Sequence, residues 1–286
     1  MRITSLIRNK LRKKKSIQFI SSNSELSFLD EELGKCKEFG IDTEFDWRNT
    51  YFPKLSLIQI STKEKIFLID CIKICPKDIL KRYLQSKDFL KIFHSVRSDT
   101  TVLSKNLNLI TENVYDIQIA EKLISSNEIK SYGKIVKKYV GLSLKKDETN
   151  SNWLKRPLSE NQITYAAEDV DFLIDIYNYQ KKILSKKNNF EEAKKQSEND
   201  AKLGNKSLKD LRLKKIKNKL SKRNTKIFIW REDLAEEKNV PPAYIFRDKN
   251  LKKLSNIEPR DQSAKKKVMK ILGDTKITEN FIAKFL

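Results

Sequence analysis

The chain has 286 residues, enough for one large domain and one small one, and its 38% hydrophobic content suffices for a packed core. No apolar run approaches the ~20 residues that a membrane span requires, and three cysteines, Cys36, Cys71 and Cys75, are too few and odd in number for a disulfide framework, so a soluble protein of a reducing, cytoplasmic compartment is expected. A formal charge of +22 favours a polyanionic partner, because neutralised phosphates release counterions, although a lysine-rich proteome would give the same number without one.

Residues 1–16 open with MRITSLIRNKLRKKK, seven Lys or Arg and no acid. They lack the apolar stretch of a secretory signal, and three readings stay open: a solvated tail, a basic arm that adds phosphate affinity, or an organelle-targeting helix. Strands are expected at GIDTEFDW, LSLIQIST and KIFLID, close enough together for antiparallel hairpins. FLKIFH and VYD follow, each separated by helical stretches, as parallel crossovers require. The predicted fold class is therefore α/β, a mixed sheet flanked by helices. Cys71 and Cys75 read as small buried hydrophobes, since the chain has one histidine with which to build a zinc site.

Within GIDTEFDW, residues two apart share a face, so Asp42 and Glu44 lie side by side while Thr43 points away. Two carboxylates among Phe39, Ile41 and Phe45 repel each other and resist burial unless a cation joins them. A hard divalent ion such as Mg²⁺ or Mn²⁺ prefers such oxygen ligands. Phe45 has the parity of Thr43, so a wedge beneath a substrate base and a place in the core are both open for it. Gln59, between Ile58 and Ile60, reads as a buried, hydrogen-bonded amide. In SVRSDTTVL, Ser98 or Asp99 stands where a helix N-cap would, which is the simplest account of Asp99 from spacing alone. After Pro157, LSENQITYAAEDVDFLIDIYNYQKKIL has helical periodicity with Ser159 or Asn161 as cap, and Tyr165 and Asp169, four apart, share a face.

Residues 181–206 carry almost no large apolar side chain, and a linker is expected over 188–206. Beyond it LKDLRLKKIKNKL, IFIWREDLAEEKNV, DKNLKKLSNI and DQSAKKKVMKILGD read as helices. Ile227, Trp230, Leu234 and Ala235 form an apolar stripe that favours a core place for Trp230, whereas Tyr244 is open to core packing or to stacking on a base.

Taken together and in order, IDTEF, TYFPKLSLIQIS, FLID, FHSVRSDTTVL, YDIQIAEKLI, NWLKRPLSENQITYAAEDV and WREDLAEEKNVPPAYI resemble the DEDDy group of DnaQ-like 3′-to-5′ exonucleases, the ribonuclease D family. The all-α end resembles the helicase-and-ribonuclease-D C-terminal (HRDC) domain. The resemblance implies a ribonuclease H-like exonuclease domain over 17–187 and an HRDC-like domain over 207–286. It implies Asp42, Glu44, Asp99 and Asp169 as ligands of two divalent metal ions, Mg²⁺ or Mn²⁺, roughly 4 Å apart, with Tyr165 orienting the attacking water. It makes Asp99 a ligand instead of a cap. Thr164 stands where a histidine-type relative would carry His. Lys54 and Arg156 are expected as phosphate contacts or as solvated surface cations, and His94 as a structural or substrate-contacting residue.

The activity implied is 3′-to-5′ exoribonucleolysis that yields nucleoside 5′-monophosphates, acting on tRNA precursors and the 3′ ends of structured RNAs, with RNA as partner, no membrane and no required protein partner. A Werner-type DNA exonuclease and a nuclease-dead RNA-binding protein are the alternatives. The lack of a P-loop in this sequence counts against the first, and the complete five-residue site against the second.

Overall fold

A computed structural model describes residues 13–144 and 148–286 and divides them into two units: residues up to Asp46 with Pro53–Asn205, and Trp47–Phe52 with Lys206–Leu286. In the first unit the elements run β1 (Ser16–Ile20), α1 (Leu26–Gly34), β2 (Glu38–Asp46), β3 (Lys54–Ser61), β4 (Lys65–Asp70), α2 (Lys77–Leu84), β5 (Leu90–Phe93), α3 (Arg97–Leu107), β6 (Val114–Asp116), α4 (Ile117–Ile124), α5 (Tyr132–Tyr139), α6 (Glu160–Asp171), α7 (Leu173–Lys186) and α8 (Phe190–Gly204). The sheet order is β1-β4-β3-β2-β5-β6. The β2-β3-β4 meander is antiparallel, as close spacing predicts, and β5 and β6 join in parallel after helical crossovers.

Alternation along the strands divides the core into two layers. Phe39, Ile41, Ile58, Ile60, Phe67 and Ile69 face α1, α2 and α3. Leu57, Leu68, Ile92 and Tyr115 face α4, α5, α6 and α7. Gly40 lies on the second face, where an added Cβ would sit 2.5 Å from Ser61 Oγ and 2.9 Å from Leu173 Cβ. Its missing side chain lets α7 lie directly on β2, just before the acidic pair.

Three expectations need correction. The N-terminal arm is expected to reach residue 16, but Ser16–Ile20 is an edge strand parallel to β4. Lys15 is buried, with Nζ donating to the carbonyl of Asp171 at 2.7 Å; residues 1–12 lie outside the described residues. The expected linker is largely helix α8, whose buried residues are Ala193, Ser197, Ala201 and Gly204. A Cβ on Gly204 would stand 2.6 Å from the Arg97 carbonyl and 2.9 Å from Thr101 N, so α8 lies flush against α3. Small residues at helical spacing allow this contact, which a search for large apolar side chains misses. Finally, Cys75 is exposed and Cys71 only partly buried, both as free thiols.

The second unit comprises α9 (Leu208–Ile216), α10 (Lys222–Glu237), α11 (Pro242–Ile245), α12 (Leu251–Ser255), α13 (Ala264–Leu272) and α14 (Thr275–Phe285). Ser221 and Asp274 cap α10 and α14 by accepting backbone N–H bonds. Trp230 is 4% exposed in the core, edge-on to Phe281, and its indole N–H donates to Asn280. Tyr244 is exposed and donates to Asn49. The β2–β3 connection adds Tyr51 to this core, fully buried with its hydroxyl on Glu232.

Candidate active site

β5 pairs with β2 only over Glu38–Gly40, so the edge of β2 beyond Gly40 is left for another element to approach. That element is α3. The turn from β5 into α3 places Ser95 at φ 66°, a conformation that needs external support in a residue with a Cβ. Asp116 supplies it by accepting from Ser95 N at 3.1 Å and Val96 N at 2.9 Å, while it also caps α4 through Gln118 N. Val96 is the N-cap of α3, and Asp99 lies inside the first turn with no capping bond. Asp99 is 4% exposed, and Thr43 Oγ1 donates to its Oδ1 at 2.6 Å. Thr43 points away from Asp42 and Glu44, as alternation requires, and thereby steadies Asp99.

α6 brings the remaining two groups. Ser159 and Gln162 form a capping box at its start, with bonds of 3.1 and 3.0 Å. At its end Ser61 Oγ donates to Val170 O and Tyr132 OH donates to Glu168 O. Ala166 and Ala167 are buried, small enough to seat the helix on the sheet. Tyr165 is half-buried against Trp153, with its hydroxyl 3.3 Å from Thr149 Oγ1. Asp169, one turn on, is its strongest charged influence.

The four carboxylates and the phenol are electrostatic neighbours. Burial, followed by the charges of Asp99, Asp169 and Glu44, drives the Asp42 carboxyl well above the ordinary range. Burial with Asp169 and Asp99 pushes Glu44 up to about 9. Burial raises Asp99 to about 7 against the bond from Thr43, and Asp169 to about 7 against the nearby Tyr165 hydroxyl. Burial and the neighbouring carboxylates also raise the Tyr165 phenol, so it keeps its proton at neutral pH. Among the described residues no ion pair includes any of the four acids.

Four carboxylates, Asp99 buried and Asp42, Glu44 and Asp169 half-buried, with no cation paired to them among the described residues, form a donor set suited to hard divalent metals. In the geometry described no three His, Cys, Asp or Glu side chains already converge to ligate one ion. Asp42 and Asp99 are charged neighbours whose carboxyls influence each other's protonation. The residues therefore fit a divalent metal in chemistry and neighbourhood, and coordination requires their side chains to turn towards a common ion.

The residues expected at the substrate divide. Phe45 is half-buried and packs against the α1–α3 core. Lys54 is exposed at the start of β3, opposite Asp46. The His94 ring lies 3.3 Å from Lys130 O and 3.2 Å from Gln118 Nε2, a structural setting. Arg156 is not a free phosphate contact. Its Nε and Nη2 grip the fully buried Asp70 at 2.8 and 2.7 Å, and Nη1 and Nη2 also donate to Trp153 O, Lys155 O and Ser56 O. This use of all three nitrogens clamps the segment before α6 onto the end of β4. Gln59 also departs from expectation: it is fully buried, and neither amide atom has a hydrogen-bond partner among the described residues. Sequence reasoning also missed Thr149 and Tyr132 as neighbours of Tyr165 and Asp169, since neither carries a signal of its own.

A family model for the 3′-5′ exonuclease matches residues 17–185, and one for the HRDC domain matches residues 222–286. The ribonuclease D of Desulfotalea psychrophila is 30% identical over 258 residues, 86% of this chain and 68% of its own. The chain spans about two thirds of the length of such curated relatives. Escherichia coli RNase D, described as an exoribonuclease involved in structured RNA processing, superposes with a TM-score of 0.79 at 23% identity, covering 93% of this chain and 75% of that one. Brucella melitensis NrnC with bound Mg²⁺ superposes with a TM-score of 0.56 at 22% identity, over 66% of this chain and 92% of that one.

Proposed function

Because the chain belongs to the ribonuclease D family, with a 3′-5′ exonuclease domain followed by an HRDC domain, we propose that it is a metal-dependent exoribonuclease that removes nucleotides from RNA 3′ ends and releases nucleoside 5′-monophosphates. The observation that carries this reading is the group of four acids, Asp42, Glu44, Asp99 and Asp169, that have no ion-pair partner among the described residues and lie beside the proton-retaining phenol of Tyr165. RNA is favoured over DNA by the relatives, which are named ribonuclease D or described as an exoribonuclease. Precursor tRNAs and other structured RNAs with 3′ extensions are the proposed substrates, and the excess of 60 Lys and Arg over 38 Asp and Glu supports a polyanionic partner.

Two bound Mg²⁺ or Mn²⁺ ions would neutralise charge on the scissile phosphate and make water ionisable at neutral pH. Asp42, central among the acids, would hold both ions; Glu44 and Asp169 would hold the one on the side of the attacking water, and Asp99 the other. Thr43 keeps Asp99 in orientation by its 2.6 Å bond. The Tyr165 hydroxyl orients the attacking water by hydrogen bonding and does not take its proton, because its raised pKa keeps it neutral. The HRDC-like unit would serve as an auxiliary RNA-binding module, with the lysines of KNLKK and AKKKVMK facing phosphates.

The test is digestion of a 5′-labelled tRNA carrying a short 3′ extension, beside a matched single-stranded DNA, with Mg²⁺ or Mn²⁺ and with Asp169→Ala as control. Stepwise RNA shortening that is lost in the variant and under chelation supports the reading. Preference for DNA moves the assignment to a DNA exonuclease, and binding without cleavage of either leaves an RNA-binding protein.

A further inference from the structure

Gln59 is 0% exposed, and both its Nε2 and its Oε1 lack a hydrogen-bond partner among the described residues. Buried amides are nearly always paired, so an amide orphaned at both ends calls for an account. The register of the meander sets Gln59 directly opposite Asp42 on β2 and opposite Leu68 on β4. Side chains directly opposite in an antiparallel pair stand on one face with Cβ atoms about 5 Å apart. That face is the one beneath α6, since Leu57 and Leu68 pack there with Ala166 and Val170. Along its own strand Gln59 is flanked on this face by apolar Leu57 and by Ser61, whose hydroxyl is committed to Val170 O at 2.6 Å. The adjacent charged acceptor is therefore Asp42. The third carboxylate offers a parallel: Asp99 has a dedicated hydroxyl donor in Thr43, whereas among the described residues no side-chain hydroxyl or amide serves Asp42 in the same way.

We propose that Gln59 is a positioning residue of the metal site, whose Nε2–H donates to the Asp42 carboxylate once that carboxylate turns to hold divalent cations, and so fixes its orientation. The inference rests on the reading of Asp42 as a metal ligand. A carboxylate oxygen that accepts from a rigid amide directs its remaining lone pairs at the ion, as second-layer hydrogen bonds commonly do in metal sites. An apolar side chain at 59 would avoid the buried orphan atoms, so the amide's contribution belongs to the loaded state.

The test is calorimetric titration of the full chain with Mn²⁺, comparing the parent protein with Gln59→Met, Gln59→Leu and Asp42→Asn, together with metal-free thermal melting of each. The expected result is Mn²⁺ affinity weakened about 10- to 100-fold in both Gln59 variants, with metal-free melting unchanged or raised because the orphan amide is gone. Affinity equal to the parent's in both Gln59 variants, with Asp42→Asn impaired, overturns the inference and leaves the site reading intact. Loss of folding in both Gln59 variants makes the amide structural and overturns it as well. If the parent's Mn²⁺ binding does not depend on Asp42, the site reading fails, and the inference fails with it.

Discussion

Glu44 and Glu121 are two glutamates of the sheet domain treated in opposite ways. Burial pushes the Glu121 carboxyl up, but bonds from Lys138 at 2.7 Å, Ser125 at 2.5 Å, Tyr139 at 2.8 Å and Lys130 at 3.1 Å outweigh it and hold the group at about 2. Glu44, with Asp169 and Asp99 as charged neighbours and no ion pair among the described residues, rises to about 9. A carboxylate buried for architecture arrives with its cations supplied by the chain. One held for metal chemistry leaves that place to an ion from solution, and the fold carries the repulsion until the ion binds.

The largest effect that would break this contrast concerns Asp42. Asp42→Asn removes charge from the centre of the acidic group, and RNA hydrolysis is expected to fall at least about a thousandfold, the loss of several kcal/mol of transition-state stabilisation. Metal-free melting should be unchanged or higher, because one repelling charge is gone. A variant that lost its fold along with its activity would place Asp42 in the architectural class. Glu121→Gln should do the reverse. It leaves Lys130 and Lys138 facing a neutral amide and is expected to cost about 2–4 kcal/mol, reduced by the partial exposure of both lysines. Denaturant unfolding measures the loss, and turnover by the protein that remains folded should match the parent's.

The two glutamates also have opposite pH signatures. The Glu121 pKa is depressed on folding, so its contribution is present above the ordinary value of 4.5 and is lost as pH falls towards about 2. Glu44, Asp99 and Asp169 have raised folded values, so the folded protein binds more protons than the unfolded chain between about 4 and about 7 to 9. Stability contributed by their protonated forms is therefore lost as pH rises through that window. With metal chelated, the melting temperature of the sheet domain should drop by roughly 5 °C or more from pH 5 to pH 9. Saturating Mn²⁺, which binds only the folded site, should flatten the slope. A metal-free profile that is flat over this range would contradict the account of the acidic group.

Much of this contrast is legible in the chain, and the missing parts have a common cause. Alternation in IDTEF fixes Asp42 and Glu44 on one face and Thr43 on the other, and the four-residue interval fixes Tyr165 with Asp169; both are local periodicities. The residues that depend on distant partners are not legible in this way. Arg156 is committed to Asp70, 86 positions away, and a sequence shows only an exposed-looking cation before a proline. α8 buries Ala193, Ser197, Ala201 and Gly204, a small-residue stripe with no hydropathy signal, so it resembled a linker. SIQFI, five residues beside a basic run, becomes a strand only because β4 offers it an edge. The amide of Gln59 differs from an ordinary buried glutamine solely in lacking partners, which no sequence displays.

The smallest effects come from a matched pair of hydroxyls and give the sharpest comparison. Tyr139 donates to Glu121 at 2.8 Å, and Tyr165 stands one helical turn from Asp169, its charged neighbour. Replacing either with phenylalanine keeps the ring and deletes one hydroxyl. Tyr139→Phe removes a bond to an ionised, fully buried carboxylate and should lower stability by about 1.5–3 kcal/mol without altering turnover. Tyr165→Phe deletes a hydroxyl whose hydrogen-bond partner is the Thr149 hydroxyl at 3.3 Å and not a buried charge, so little stability should be lost. Its effect should fall on the rate, on the order of tenfold to a hundredfold in kcat with KM little changed, because the carboxylates remain to hold metal while the attacking water loses its orienting partner. If Tyr165→Phe instead destabilised the protein as Tyr139→Phe does and left kcat intact, the phenol would be a structural partner of Asp169, and water positioning would have to come from another group on the same face of α6.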